Sequence, residues 1–289
     1  MLKYYRGTEQ DMKVLFTAFQ AGFVDYMVKL DLTEEQFAAH FFGQEGNALE
    51  HSFVALYGGE AVGIILGGIK EYEGIRTMRC GALAIRPDLR GQGVSKELFR
   101  LHHQEAVEQG CRQLYLEVIK GNERAIAFYN HVGYQQLYDL AYYTLADVSG
   151  LMTLPHMDES GRDRPSIVQI NNEQFIEAVQ GREYFHMNWQ NDLDYISRSN
   201  KYVYYGAMMN GKLVAVMAIT RQGRISLLVV DKNERGHGVA QLLLNNAIHE
   251  LALTRLQISF SNNAGVHGFL QHLRFQKDPI QQYEMYRFI

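Results

Sequence analysis

The stretch Arg90-Gly91-Gln92-Gly93-Val94-Ser95 has residue types and spacing that could do chemistry. Glycine takes positive φ without steric cost and lets a ligand approach the main chain closely. Where such a loop joins a strand to a helix, successive N–H groups and the positive end of the helix dipole make a site for a pyrophosphate. A plain glycine-rich turn fits the same residues. The third glycine and downstream acid of a dinucleotide fingerprint are missing. No Gly-Lys-Ser/Thr follows, so the loop is not a P-loop. The two cysteines, Cys80 and Cys111, have neither disulfide-framework nor metal-ligand spacing. His102 and His103 are adjacent and face different ways on a helix, while His267 and His272 miss the i, i+4 spacing of a helical metal pair. No metal is expected.

The loop recurs. Arg235-Gly236-His237-Gly238-Val239-Ala240 repeats it at an offset of 145 residues, from 90 to 235. Strand-like runs precede both copies, Ala82–Ile85 and Leu227–Val230, and helical spacing follows in Val94, Leu98, Leu101 and in Val239, Leu242, Leu243. Upstream, Ser52–Tyr57 and Ala61–Ile69 flank Gly58-Gly59-Glu60, and Tyr202–Met209 and Leu213–Ile219 flank Asn210-Gly211-Lys212, both hairpin signals. Downstream strands are predicted at Gln113–Val118 and Arg255–Phe260, and last strands at Tyr134–Leu145 and Gln281–Ile289. Thr8 is predicted to cap a first helix and Thr33-Glu34-Glu35-Gln36 to form a capping box on a second. Each half thus reads as an α/β fold, a mixed sheet with helices packed on it. The segment 149–166 holds two of the four prolines, so the expected division is a first domain at 1–148, a linker at 149–166 and a second domain at 167–289.

Arg86 to Ser95 resembles motif A of the GNAT N-acetyltransferase superfamily, Gln/Arg-x-x-Gly-x-Gly/Ala after a strand, with Ser95 in place of the usual Gly or Ala. Leu116-Glu117-Val118-Ile119 followed by Asn122, Ala125, Ile126, Tyr129, Gly133 and Tyr134 resembles motif B. The likeness covers about residues 50–145, with a weaker match at 200–289. It implies two acyl-CoA N-acyltransferase domains in tandem, with acetyl-CoA as co-substrate and an amine as acceptor. On that likeness the backbone of Leu83, Ala84 and Ile85 would hold the pantetheine arm, and that of Arg90, Gly91, Gln92, Gly93, Val94 and Ser95 the pyrophosphate. Asn122 would contact the pantetheine, cap the next helix, or do both. Tyr129 would protonate the departing thiolate, its alternative being a core aromatic. The base would be a carboxylate or a water chain. Glu117, Glu71 and Glu73 are candidates that also read as solvated strand-edge charges, and Glu117 is the one named. In the second half Leu270 aligns with Tyr129, so its complete loop predicts coenzyme A binding or a structural part rather than catalysis. His237 in that loop fits either a phosphate contact or a surface histidine.

The whole chain of 289 residues is 47% hydrophobic and 21% charged, ordinary globular composition. Its net charge of -4 argues against a nucleic-acid partner. No apolar run approaches the roughly 20 residues of a membrane span, and the first residues have no apolar signal-peptide core. A cytoplasmic location is expected. The acceptor is expected to be a small-molecule or peptide amine. Aromatic Phe19, Phe23, Tyr26, Phe41 and Phe42, with acidic Asp25, Asp31, Glu34 and Glu35, would suit a cationic amine with an apolar body, although core packing explains the aromatics equally well.

Overall fold

The computed structural model describes residues 1–152, 164–180, 182 and 186–289. Its first elements are β1 (Leu2–Arg6), α1 (Met12–Phe23), α2 (Glu34–Phe37), β2 (Ala48–Tyr57), β3 (Glu60–Tyr72) and β4 (Ile75–Ile85). Then come α3 (Val94–Glu108), β5 (Gln113–Ile119), α4 (Glu123–His131), β6 (Gln135–Leu145) and α5 (Ser149–Met152). The remainder comprises β7 (Ser166–Ile170), α6 (Asn172–Gln180), α7 (Leu193–Ser197), β8 (Tyr202–Met209), β9 (Lys212–Thr220) and β10 (Arg224–Val230). It ends with α8 (Val239–Glu250), β11 (Leu256–Ser261), α9 (Ala264–His272), β12 (Gln276–Lys277) and β13 (Gln282–Phe288).

Local chemistry accounts for most boundaries. Gly58 and Gly59 between β2 and β3, and Asn210 and Gly211 between β8 and β9, all have positive φ, as a two-residue hairpin turn requires. The Thr33–Gln36 capping box forms with both reciprocal bonds, at 3.2 and 2.9 Å. Thr8, however, opens no α-helix. Glu9 turns back to accept the Arg6 N–H at 2.7 Å, which closes Gly7–Glu9 into a single 3-10 turn. The helix starts only after Asp11.

Two compact units result: Met1–Leu137 with Tyr283–Ile289, and Tyr138–Gln282. They differ from the division at 149–166, of which 153–163 lie outside the described residues. In the first unit the strand order is β1-β2-β3-β4-β5-β13, so the chain's last strand completes the first sheet. In the second it is β6-β11-β10-β9-β8-β7, with Leu140–Leu145 of β6 antiparallel to β11. Alternating residues fix which face of a strand is buried but not which neighbour it takes. β6 follows α4, β13 follows α9 with only the two-residue β12 between, and both share that pattern, so sequence alone pairs each with its own half.

The faces are covered as the period-two pattern demands. In β3, Ile64 and Leu66 pack with Leu15 and Phe19 of α1, and Ile65 packs on the other side with Leu98 and Phe99 of α3. In the second unit Val216 and Ala218 of β9 meet Phe175 of α6, while Ala215 and Met217 meet Leu243 and Leu244 of α8. Gly22 sets the closeness of α1 to the sheet, since an added Cβ would lie 2.5 Å from the Ala84 Cβ. The end of α1 is thereby brought to the end of β4.

Candidate functional site

β4 and β5 run parallel, and their ladder joins Thr77–Arg79 to Gln113–Tyr115. Beyond it β4 continues to Ile85 and β5 to Ile119 without further pairing to each other. Gly81 marks the parting. Leu66 pairs with Ala82 and Gly67 with Cys80, which leaves Gly81 as a bulge, and bulges bend and twist the strand that carries them. The other edge of β4 stays paired to β3 as far as Ile85. The edge of Cys80–Ile85 that faces β5 therefore offers free peptide groups, to which an extended ligand can add as a strand does.

At the end of this opening stands the glycine loop. Gly91 and Gly93 have φ of 76° and 87°, and a Cβ on either would meet nothing within 4 Å. Gly93 is the N-cap of α3 and makes no side-chain cap, so the first-turn amides of a 15-residue helix are left to an external acceptor. That geometry fits a pyrophosphate. Side chains hold the loop in place. Arg90 donates through Nε to the Ile85 carbonyl at 2.9 Å, through Nη2 to the Gly22 carbonyl at 3.0 Å, and pairs with Asp25. The guanidinium holds the Asp25 carboxyl down to about 2. Gln92 donates to the Asp88 carbonyl at 2.9 Å, and Val94 is buried in the core.

A cleft of about 630 Å³ lies along these groups. Leu83, Ala84 and Ile85 line it on β4, with Arg90, Gly91 and Ser95 at the loop. Asn122 and Tyr129 line its α4 side. Asn122 caps α4, accepting the Ala125 N–H at 3.3 Å, and does so from the cleft wall. Tyr129 is 8% exposed and shares its core cluster with Cys80 of β4. Burial pushes the Cys80 thiol up to about 12 and the Tyr129 phenol well above its ordinary range, so both stay protonated at neutral pH. Among the aromatics expected to form a substrate wall, Phe23 and Tyr26 line the cleft. Phe19, Phe41 and Phe42 instead pack around Phe37 in the core.

Glu117 lies elsewhere. Leu114, Leu116 and Val118 of β5 belong to the core that contains Tyr129, so by alternation Tyr115 and Glu117 face the opposite side. There Arg79 donates to Glu117 Oε2 at 2.7 Å and pairs with Glu45. The Tyr115 hydroxyl is 3.0 Å from Glu117 Oε1 and 3.1 Å from Glu284 Oε1 of β13. Burial raises the Glu117 carboxyl above the usual carboxylate range, against the pull of Arg79. Glu71 and Glu73 are exposed at the opposite end of the β3–β4 hairpin. At about 3.3 Å per strand residue they stand some 30 Å from the loop, too far to serve the same site. Sequence reading missed Arg79, Tyr115, Cys80 and Glu284. For Tyr115 a signal existed, its i, i+2 spacing from Glu117 on one strand.

The second unit repeats the frame. β10 and β11 pair at Arg224–Ile225 with Gln257–Ile258 and then part. Ser226 is the bulge there, 145 residues after Gly81. Gly236 and Gly238 have positive φ, and Arg235 donates to the Val230 carbonyl at 3.1 Å as Arg90 does to Ile85. Leu270, the seventh residue of α9, stands where Tyr129 stands on α4, and it is 1% exposed in the core. Among the described residues no group of three His, Cys, Asp or Glu side chains converges as a metal set, and no helix is long and apolar enough to cross a membrane.

Residues 15–134 match the acetyltransferase (GNAT) family, and residues 169–271 match an acetyltransferase (GNAT) domain. The chain belongs to this family and carries two such domains in tandem. An uncharacterized N-acetyltransferase of Escherichia coli K12, YjgM, is 33% identical over 98 residues, which are 33% of this chain and 56% of that protein. An acetyltransferase of Pectobacterium atrosepticum is 29% identical over 82 residues, 28% of this chain and 55% of its own length. The matches thus span about half the length of these relatives. A tandem GNAT protein from the clavulanic acid biosynthesis pathway shares the fold with a TM-score of 0.67 at 14% identity, over 100% of this chain and 98% of that one.

Proposed function

We propose that the first unit transfers the acetyl group of acetyl-CoA directly to the primary amine of a small molecule or peptide, and that the second unit carries out no transfer. One observation carries this reading. The open edge of β4, the uncapped start of α3 and the buried phenol of Tyr129 all line one cleft. Gly91 to Ser95 hold the pyrophosphate through main-chain N–H groups. Leu83 to Ile85 pair with the pantetheine arm, which lays the thioester toward Tyr129 on the α4 side of the cleft. Asn122 steadies that arm while it caps α4.

Tyr129 donates its proton to the leaving sulfur. Glu117, fixed by Arg79 and Tyr115, takes the proton that the substrate ammonium loses before its nitrogen attacks the acetyl carbon. Acid and base sit on opposite faces of the parted strands, so the leaving group and the nucleophile are served from different sides. In the second unit Leu270 supplies no proton.

The test is thiol release from acetyl-CoA by the full chain against a panel of polyamines, amino sugars and peptides with free N-termini. The expected result is release that depends on an amine and is lost in both Tyr129→Phe and Glu117→Gln. Amine-dependent release that survives both substitutions overturns the reading.

A further inference from the structure

Glu284 belongs to β13, the last strand of the chain, and it is fully buried in the first unit. It takes no part in the chemistry described above, yet its carboxylate shares the hydroxyl of Tyr115 with Glu117. A phenol carries one proton and donates it to one acceptor at a time. At 3.0 and 3.1 Å the two carboxylates compete for that donor on nearly equal terms. We propose that Glu284, acting through Tyr115, is a positioning residue that sets the protonation of Glu117, so that the far end of the chain tunes the base of the first unit. This rests on the reading of Glu117 as the base.

The charged and titratable groups on this side of the sheet come from five elements, one of them β3, where Lys70 and Tyr72 are buried with the Lys70 ammonium 5.3 Å from the Tyr72 ring. Arg79 of β4 attracts Glu117. Glu45, which follows the short helical segment after α2 and is itself paired with His40, repels it. Tyr115 of β5 donates to it, and Glu284 of β13 repels it. These act with opposite signs. Like charge from Glu284 disfavours the ionised carboxylate, whereas a hydrogen bond from Tyr115 favours it. Buried in low dielectric, both effects are stronger than they would be at a surface. The shared hydroxyl couples them, because a proton given to Glu284 is withheld from Glu117. Tyr72 and Tyr286 pack against Tyr115, at ring separations of 5.2 and 5.0 Å, and hold the donor in this position.

The experiment is a carboxyl titration of the full chain carrying ¹³C at glutamate Cδ, with the Glu117 resonance identified by its loss in Glu117→Gln. In Glu284→Gln the Glu117 midpoint falls, because a like charge is gone. In Tyr115→Phe it rises, because the donor is gone. Thermal melts accompany each titration, since a merely structural role would lower the melting temperature and leave the midpoint in place. Opposite movements of the midpoint, with Glu284→Gln moving it less when Tyr115 is already phenylalanine, establish the proposal, and an equal fall in both backgrounds overturns it. An unmoved midpoint in either folded variant, or movement of both in one direction, overturns it. Full amine acetylation by Glu117→Gln would instead overturn the reading of Glu117 as base, whatever the midpoints do.

Discussion

Met285 tests whether the last strand is part of the first unit's core in energy as well as in position. Its side chain is fully buried among Met78, Leu114, Leu116 and Tyr134 in the core of the first unit, far from its own half in sequence. Truncating a buried methionine to alanine typically costs about 2–5 kcal/mol, from lost transfer energy and the cavity left behind. For a unit of this size each kcal/mol moves the melting temperature by roughly 2–4 °C. Met285→Ala should therefore lower melting of the first unit by roughly 4–20 °C. Phe288, 65% exposed on the same strand, is the control, and its alanine variant should stay within about 0.5 kcal/mol. Hydrogen exchange followed by peptide mass spectrometry reads the location of the loss. Amides of β4 and β5 should lose protection in Met285→Ala while those of β8 to β10 keep theirs. Loss confined to β8–β10, with β5 unchanged, would refute the assignment of β13 to the first sheet.

Two other outcomes are expected. Gly93→Val places a side chain in the open space before α3, so calorimetric affinity for acetyl-CoA should drop about 10–100-fold, the worth of one charge-assisted hydrogen bond or two weaker ones. Gly110→Val imposes similar positive-φ strain away from the cleft and should leave affinity unchanged; equal affinities in the two variants would mean the loop is only a turn. His102 is fully buried without a partner for either ring nitrogen, and burial holds it down to about 3. Its unfolded value is near 6.5, so the unfolded chain gains a proton first and stability drains away as pH falls from 6.5 towards 3, by roughly 5 kcal/mol at about 1.4 kcal/mol per unit. His102→Leu should flatten that part of the urea-unfolding pH profile, and an unchanged profile would show that His102 titrates freely.

The 145-residue repeat made much of this site legible before any fold was known. Glycine pairs at 91 and 93 and at 236 and 238 could be read because only glycine takes positive φ cheaply, and both pairs do so. Asn122 and Tyr129 could be read only through the likeness to motif B, since the helical spacing of Tyr129 beside Ala125, Ile126 and Val132 fits a core aromatic equally well. The partners of β6 and β13 could not, since alternation carries no information about neighbours. For the same reason the place of Glu284 beside Tyr115 and Glu117 stayed hidden, as it joins strands that sequence assigns to different halves. Thr8 misled because a neighbouring acid, Glu9, competed for the turn.

The central claim is that the buried phenol of Tyr129 completes the transfer in the first unit, and one substitution tests it most directly. With an amine that supports thiol release, Tyr129→Phe should lower kcat by about 10²–10⁴-fold, the usual contribution of general acid–base catalysis, while calorimetric affinity for acetyl-CoA stays close to that of the unaltered chain. Near-normal kcat with only a lowered melting temperature would make Tyr129 a core aromatic and contradict the account.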